Sequence, residues 1–430
     1  MFSHLKLSHS VPPAIKDRFA CCRLDEYATY IFAAFALAIG EKSAFAENFN
    51  NASKAELTRV CGNPFDPAST FATGNLLTIC QELQQGGQTS PSGVGTQSQP
   101  NSLLISQQQL KDLQTKKLTE NRKPGSADVI GTMWGDKFST FLTAGATTLR
   151  HQENEFEQGY NATIPSVTIG GGYAITEDLE MGLAFNYSNS SADFNSGGGF
   201  DVDSYTPLLY VNYLPFDNAF VNLALSYTRQ NQSNNRLAIA GLSGIDLNPD
   251  GSRRPISRST NGNVDANQYN LNLLSGYDFA VENVTIGPRF GVDARQWEMN
   301  GYQETSNTGL ELRYNDQYQT SVQSRVGLFA SSAHSFDFGV LVPQISAYWV
   351  HEFLNGARTV NAHFVQTTDF ETSSGFFFQT ENPARNWAVI DLGVSLVMQK
   401  GLQAFVNFST VQGNRNFESY GGNVGMRVEW

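Results

Sequence analysis

Leu179-Glu-Met-Gly-Leu-Ala-Phe-Asn-Tyr187 alternates large apolar side chains with small or polar ones at a strict period of two. Leu179, Met181, Leu183, Phe185 and Tyr187 fall on one side, and Glu180, Gly182, Ala184 and Asn186 on the other. Successive side chains of a strand point to opposite faces, so this spacing gives one apolar face and one polar face. The pattern returns in Ala219, Val221, Leu223, Leu225 and Tyr227, and again in Val284, Ile286, Pro288, Phe290, Val292 and Ala294. Opposite the last of these stand Thr285, Gly287, Arg289, Gly291, Asp293 and Arg295. A strand with an unbroken apolar row on one face and opposite charges on the other suits lipid on one side and water on the other.

Working outward from these stretches gives twelve such segments, at about 138–149, 163–175, 179–190, 202–214, 219–231, 265–280, 284–297, 319–330, 340–353, 386–399, 402–412 and 421–430. Alternate connections are tight turns: Thr176-Glu177-Asp178, Phe216-Asp217-Asn218, Val281-Glu282-Asn283 and Gln399-Lys400-Gly401, with a slightly longer one at Ser331 to Gly339. The intervening connections are long and polar, notably 232–264, 298–318 and 354–385. An even number of strands with short turns at one end and long loops at the other is the arrangement of an outer-membrane barrel, and closure leaves no unpaired edge in lipid. The expected fold is all-β, a 12-stranded antiparallel transmembrane barrel. A soluble sandwich explains neither the loop asymmetry nor the apolar outer face.

Composition agrees. Of 430 residues only 16% are charged and 40% hydrophobic, but 12% are aromatic, with 30 Phe, 16 Tyr, 5 Trp and 38 Gly. The net charge of -12 gives no basic surface for nucleic-acid phosphates. No apolar run approaches the roughly 20 residues of a membrane-spanning helix. The longest, Ile31 to Gly40, follows a leader with Lys6, Lys16, Arg18 and Arg23 and precedes Ala44-Phe45-Ala46, a small-x-small cleavage pattern. Residues 1–46 therefore read as a signal peptide. Removing them takes away Cys21 and Cys22 and leaves Cys61 and Cys80, expected to form one disulfide in an exported chain. Residues 47–101 form a short passenger-like segment ending in a Gln/Gly/Ser/Pro tract from Gln84 to Pro100, and no internal repeat is visible in it. In 102–130, Leu103, Leu104, Leu110, Leu113 and Leu118 suggest one amphipathic helix stopped by Pro124-Gly125, and the barrel occupies 131–430.

The last segment places Val424, Met426, Val428 and Trp430 outward and Gly425, Arg427 and Glu429 inward, with an aromatic residue at the end. Here the sequence resembles the C-terminal β-domain of autotransporters, the type V secretion family. Gly276-Tyr277, Pro288 with Gly291, Tyr302 to Glu304 and Arg325-Val-Gly327 carry the same resemblance. Most specific is Pro343 leading to Trp349-Val-His351-Glu352-Phe353. The resemblance covers Phe138 to Trp430. It implies a twelve-stranded barrel with an N-terminal helix in its lumen and a terminal aromatic strand read by the barrel-assembly machinery. Location in the outer membrane of a Gram-negative bacterium, in contact with lipid and lipopolysaccharide and as a monomer, follows from the same likeness. Arg289, Asp293, Arg295, Arg325, Asp391, Arg427 and Glu429 are expected to face the lumen as an interspersed network of both signs, unlike the single-sign ring of a selectivity filter.

Motifs with a chemical look fail on inspection. His351-Glu352 lacks the second histidine of a zinc protease, because Asn355 stands in its place. Gly135-Asp136 resembles the nucleophile block of autotransporter esterases, but Lys137 replaces the serine. No histidine occurs from Glu47 to Ile130, so neither a zinc site nor a Cys/His nucleophile is expected there. Gly170 to Gly172 lies inside a strand and opens no helix, and Arg253, Arg254 and Arg258 lie in the longest polar connection. No catalytic residue, metal or cofactor is expected. The functional expectation is a barrel that translocates or displays its own short N-terminal segment. The alternatives are a plugged pore, or an adhesin acting through its long loops.

Overall fold

The computed structural model describes residues 49–84, 89–91, 137–195, 197–216, 218–247, 253–368 and 375–429. All lie in the unit Glu47–Trp430. The expected signal peptide, the expected lumenal helix and Trp430 lie outside the described residues. Two helices come first, α1 (Phe49–Cys61) and α2 (Gly74–Gln84). Twelve long strands follow: β1 (Phe138–His151), β2 (Tyr160–Thr176), β3 (Leu179–Phe194), β4 (Gly198–Phe216), β5 (Ala219–Leu247), β6 (Arg253–Tyr277), β7 (Val284–Met299), β8 (Gln317–Ser332), β9 (Gly339–Glu352), β10 (Asn386–Val397), β11 (Leu402–Gln412) and β12 (Phe417–Glu429). Each pairs antiparallel with the next, and β12 returns to β1 from Phe417 opposite His151 down to Glu429 opposite Ser139. The sheet is a closed barrel without a free edge, as the alternation predicted.

At one end the connections are tight. Glu282 turns the chain between Val281 and Val284 at φ 54, and Lys400 and Gly401 do so at φ 64 and 68. Of the outward row expected of β3, Met181, Leu183, Phe185 and Tyr187 are exposed, Leu183 at 67%, and Leu179 is half-buried. Inward glycines make room for large neighbours: a Cβ on Gly182 would lie 2.1 Å from the Tyr210 ring, and one on Gly425 2.3 Å from that of Phe405.

The other end departs from the sequence expectation in two places. The connection read as a loop at 232–264 is mostly strand, since β5 and β6 continue as a hairpin paired from Gln232–Val264 through Ile239–Ser257. Beyond the membrane both faces of a strand meet polar surroundings or protein, so the lipid-facing apolar row that marks a span stops while the ladder continues. Loops 298–318 and 354–385 contain the short strands Tyr302–Gln303, Leu312–Tyr314, Thr359–Phe364 and Phe376–Gln379, which form a four-stranded antiparallel sheet of their own. Strands this short give too few alternations to register as a period in sequence.

Candidate functional site: the capped outer mouth

Residues 49–84 of the segment read as passenger-like fold at this long-loop end as a helical hairpin. In α1, Phe49, Ala52, Ser53, Leu57, Val60 and Cys61 are buried on one face at helical spacing. Gly62 ends the helix at φ 48, donating its N–H to the Thr58 carbonyl at 3.2 Å, the left-handed terminus that glycine favours. In α2, Leu76, Ile79 and Cys80 are buried, and Cys61–Cys80 is a disulfide with Cα atoms 5.2 Å apart.

The hairpin docks on the loop sheet through ring packing and backbone pairing. The Phe49 ring meets the Phe376 and Phe378 rings edge-on at centroid distances of 5.8 and 5.1 Å. Thr73 N–H donates to the Gln366 carbonyl at 3.0 Å, and Thr368 N–H to the Phe71 carbonyl at 2.9 Å. The Gln366 side-chain oxygen then accepts from the N–H groups of Asn75 and Leu76, at 2.7 and 3.3 Å, supplying partners to the open start of α2. Below the hairpin, Ala238, Val264, Ala266, Trp297 and Met299 from the extended strands complete one buried cluster with it. Thr89–Pro91 pairs with Ala238–Ala240 of β5 at the same end.

A buried ion pair fastens the wall to the loop sheet. Arg236 of β5 donates from Nε and Nη2 to Glu304, at 2.8 and 2.5 Å, and to the Leu310 carbonyl at 2.7 Å. Burial disfavours the charged guanidinium, but Glu304 outweighs it and the arginine is held more firmly protonated than usual. Nothing in the sequence singled out Arg236, because it sits in the stretch read as loop.

The seven charges expected in the lumen are spread along it, with Arg325, Asp293 and Arg295 acting on one another. Arg289 bonds Asp278 at 2.5 Å and lies over the Phe220 and Phe329 rings at 4.8 and 4.5 Å. Arg325 Nε is 2.7 Å from Asp293, and Arg427 is 2.9 Å from Glu429 near the short-turn end. Asp391 stands opposite Ser346 and Ser409, and Arg295 lines a cavity in the mouth. Of the outward terminal row, Val424 and Met426 are exposed and Val428 is half-buried. In the Pro343 to Phe353 stretch, Trp349, His351 and Phe353 form an outer ladder of rings at 5.7 and 4.8 Å. Glu352 instead turns inward and accepts hydrogen bonds from Ser321, Gln323 and the Val322 and Leu354 N–H groups.

Inside the mouth lies a cavity of 80 Å³ lined among others by His151, Glu157 and Glu381. His151 ends β1, Glu157 is in the β1–β2 loop and Glu381 in the β9–β10 connection. Their ligand atoms lie within 4.8 Å of one another. Burial opposes a charge on His151, but its hydrogen bond to Glu381 and the charges of Glu157 and Glu381 prevail, so its pKa is raised. Burial likewise raises the Glu157 carboxyl, against the pull of His151 and Arg358. Burial lowers Arg358 to about 10. Glu381 is remote from His151 in sequence, which is why no motif revealed the group.

Comparison with known proteins bears on the barrel. The model of the autotransporter beta-domain family matches residues 140–409. Outer membrane protein A of Rickettsia rickettsii is 24% identical over 280 residues, 63% of this chain but 12% of that protein. Esterase EstA of Pseudomonas aeruginosa is 25% identical over 203 residues, 45% of this chain and 27% of the esterase. The chain thus spans only a minor part of the curated relatives it matches. The translocator domain of autotransporter NalP from Neisseria meningitidis superposes with a TM-score of 0.52 at 15% identity, covering 76% of this chain and 98% of that one.

Proposed function

Since the chain belongs to the autotransporter family, and its barrel is the outer-membrane β-domain of that family, we propose that the barrel carries its own N-terminal hairpin across the outer membrane and holds it at the cell surface. One observation carries this reading. The hairpin of α1 and α2 packs on the long-loop end, whereas β1 begins at the opposite end, where Phe138 pairs with Tyr173 beside the Glu177-Asp178 turn. In barrels of this kind the long loops are external and the short turns periplasmic. The hairpin and the start of β1 thus stand at opposite ends of the barrel, as expected of an N-terminal segment that has been carried through it. On this reading 1–46 is removed on export. Val424, Met426, Val428 and Trp430 form the terminal signal read by the barrel-assembly machinery, and the exposed aromatic and aliphatic wall contacts lipid and lipopolysaccharide as a monomer.

An epitope inserted between Pro67 and Ala68, in the exposed turn that joins the helices, tests the reading in intact cells. Antibody labelling and loss of the epitope to added protease are expected while the barrel stays in the outer-membrane fraction. An epitope reached only after the outer membrane is broken, with the barrel correctly inserted, overturns it.

A further inference from the structure

We propose that His151, Glu157 and Glu381 bind a divalent transition-metal ion at the outer mouth of the barrel, through the His151 Nε2 and one oxygen of each carboxylate, with water from the adjoining cavity in the remaining position. The distances leave room for a shared ion between the three groups. Nε2 is 3.2 Å from Glu381 Oε2 and 3.5 Å from Glu157 Oε2. A charge-assisted N–H···O bond closes to about 2.7–2.9 Å, and a single N–H serves one such bond well. Two ligands on a tetrahedral zinc, at bond lengths of about 2.0–2.1 Å, stand roughly 3.3 Å apart. Both carboxylates converge on one ring nitrogen at about that separation. The ring is held in place by stacking on Tyr160, centroids 5.0 Å apart and planes 4° apart.

The cavity beside the cluster supplies an independent observation. Gln323 is 1% exposed and Asn416 8% exposed, both line the cavity, and neither Gln323 Oε1 nor Asn416 Oδ1 has a hydrogen-bond partner among the described residues. Buried amide oxygens without a partner call for donors, and water molecules coordinated to an ion are strong donors. The lining sets Glu157 and Glu381 together with His151, and also carries Glu352, Arg295 and Arg358. A histidine with two carboxylates suits zinc or a neighbouring transition metal; calcium takes six to eight oxygens, more than this cluster offers. Such an ion would join the end of β1, the β1–β2 loop and the segment just after Phe376–Gln379, whose rings hold α1. It would thus tie the hairpin's seat to the barrel seam.

Isothermal titration of Zn²⁺ into the untagged, chelator-treated full chain, folded in detergent, tests the assignment. One saturable site is expected, with affinity falling tenfold or more in each of H151Q, E157Q and E381Q and with no comparable uptake of Ca²⁺. X-ray absorption of the zinc-loaded protein should give one imidazole nitrogen and carboxylate oxygens at about 2.0–2.2 Å. Each variant is first checked for the folded barrel by its heat-modifiable gel migration. If H151Q does not fold, E157Q and E381Q decide. No saturable uptake below millimolar zinc, or an affinity unchanged in the folded variants, overturns the proposal.

Discussion

The barrel wall has two storeys with opposite polarity. In the lower one the outward side chains of β3 are Met181, Leu183, Phe185 and Tyr187, and Asn186 and Ser188 face inward. A few residues further along the same strand the assignment reverses: Ala192 and Phe194 are buried inside, while Ser191 and Asp193 are exposed. β2 does the same, from outward Val167 and Ile169 to inward Tyr160, Ala162 and Ile164, and β4 from outward Leu209 and Tyr213 to inward Phe200 and Val202. The backbone ladder is continuous through the change. What reverses is the surroundings: lipid outside and a polar lumen below, water outside and a packed interior above. The strand's period is fixed by geometry, whereas the face that is apolar reports which solvent lies beyond it.

The upper storey should yield the largest effect. Trp297 is 1% exposed, and its indole N–H donates to Gln230 at 3.1 Å. Trp297→Ala is expected to remove about 3–5 kcal/mol from the packing under the hairpin. Amide exchange in α1 and α2 would accelerate while the barrel keeps its heat-modifiable form; unchanged protection would mean that the upper interior does not hold the hairpin. In the lower storey, Leu183→Arg puts a charge on the lipid face and is expected to destabilise the inserted barrel by about 2–4 kcal/mol, read from denaturant-dependent folding into vesicles. A smaller loss is expected for Gln366→Ala, about 1 kcal/mol, read as faster exchange at the Asn75 and Leu76 amides with the rest of α2 less affected. Least of all should come from Asp193→Arg, outward on the same strand as Leu183 but above the reversal, within about 0.5 kcal/mol in the same folding assay. Equal responses at 183 and 193 would erase the distinction between the storeys.

This reversal explains how much was legible beforehand. Lower spans such as 179–187 declare themselves because one face is apolar throughout, and the tight turns at Glu282 and Lys400 fix the strand count from below. Above the lipid, the outward row becomes Ser191, Asp193, Ser233 and Asn235, which reads as loop, although the inward partners are packed. The hairpin of α1 and α2 was hidden for a related reason. Each helix is short and apolar on a narrow face that makes sense only against Phe376, Phe378 and Trp297, residues remote in sequence. Cys61 and Cys80 were legible as a pair because, with residues 1–46 read as a signal peptide, no other cysteine remains. The His151 cluster was not, since its members are contributed by a strand end and two loops.

The extension of β5 beyond Tyr227 has a spatial consequence. From Tyr227 to Leu237 a strand climbs some 25 Å, at about 3.3 Å per residue and with the usual barrel tilt taken off. The paired β6 travels with it, and Arg236 braces the top against Glu304. The hairpin of α1 and α2 therefore rests on a protein pedestal built from these extended strands rather than directly on the lipid-facing wall. A second surface could touch it without approaching the lipid.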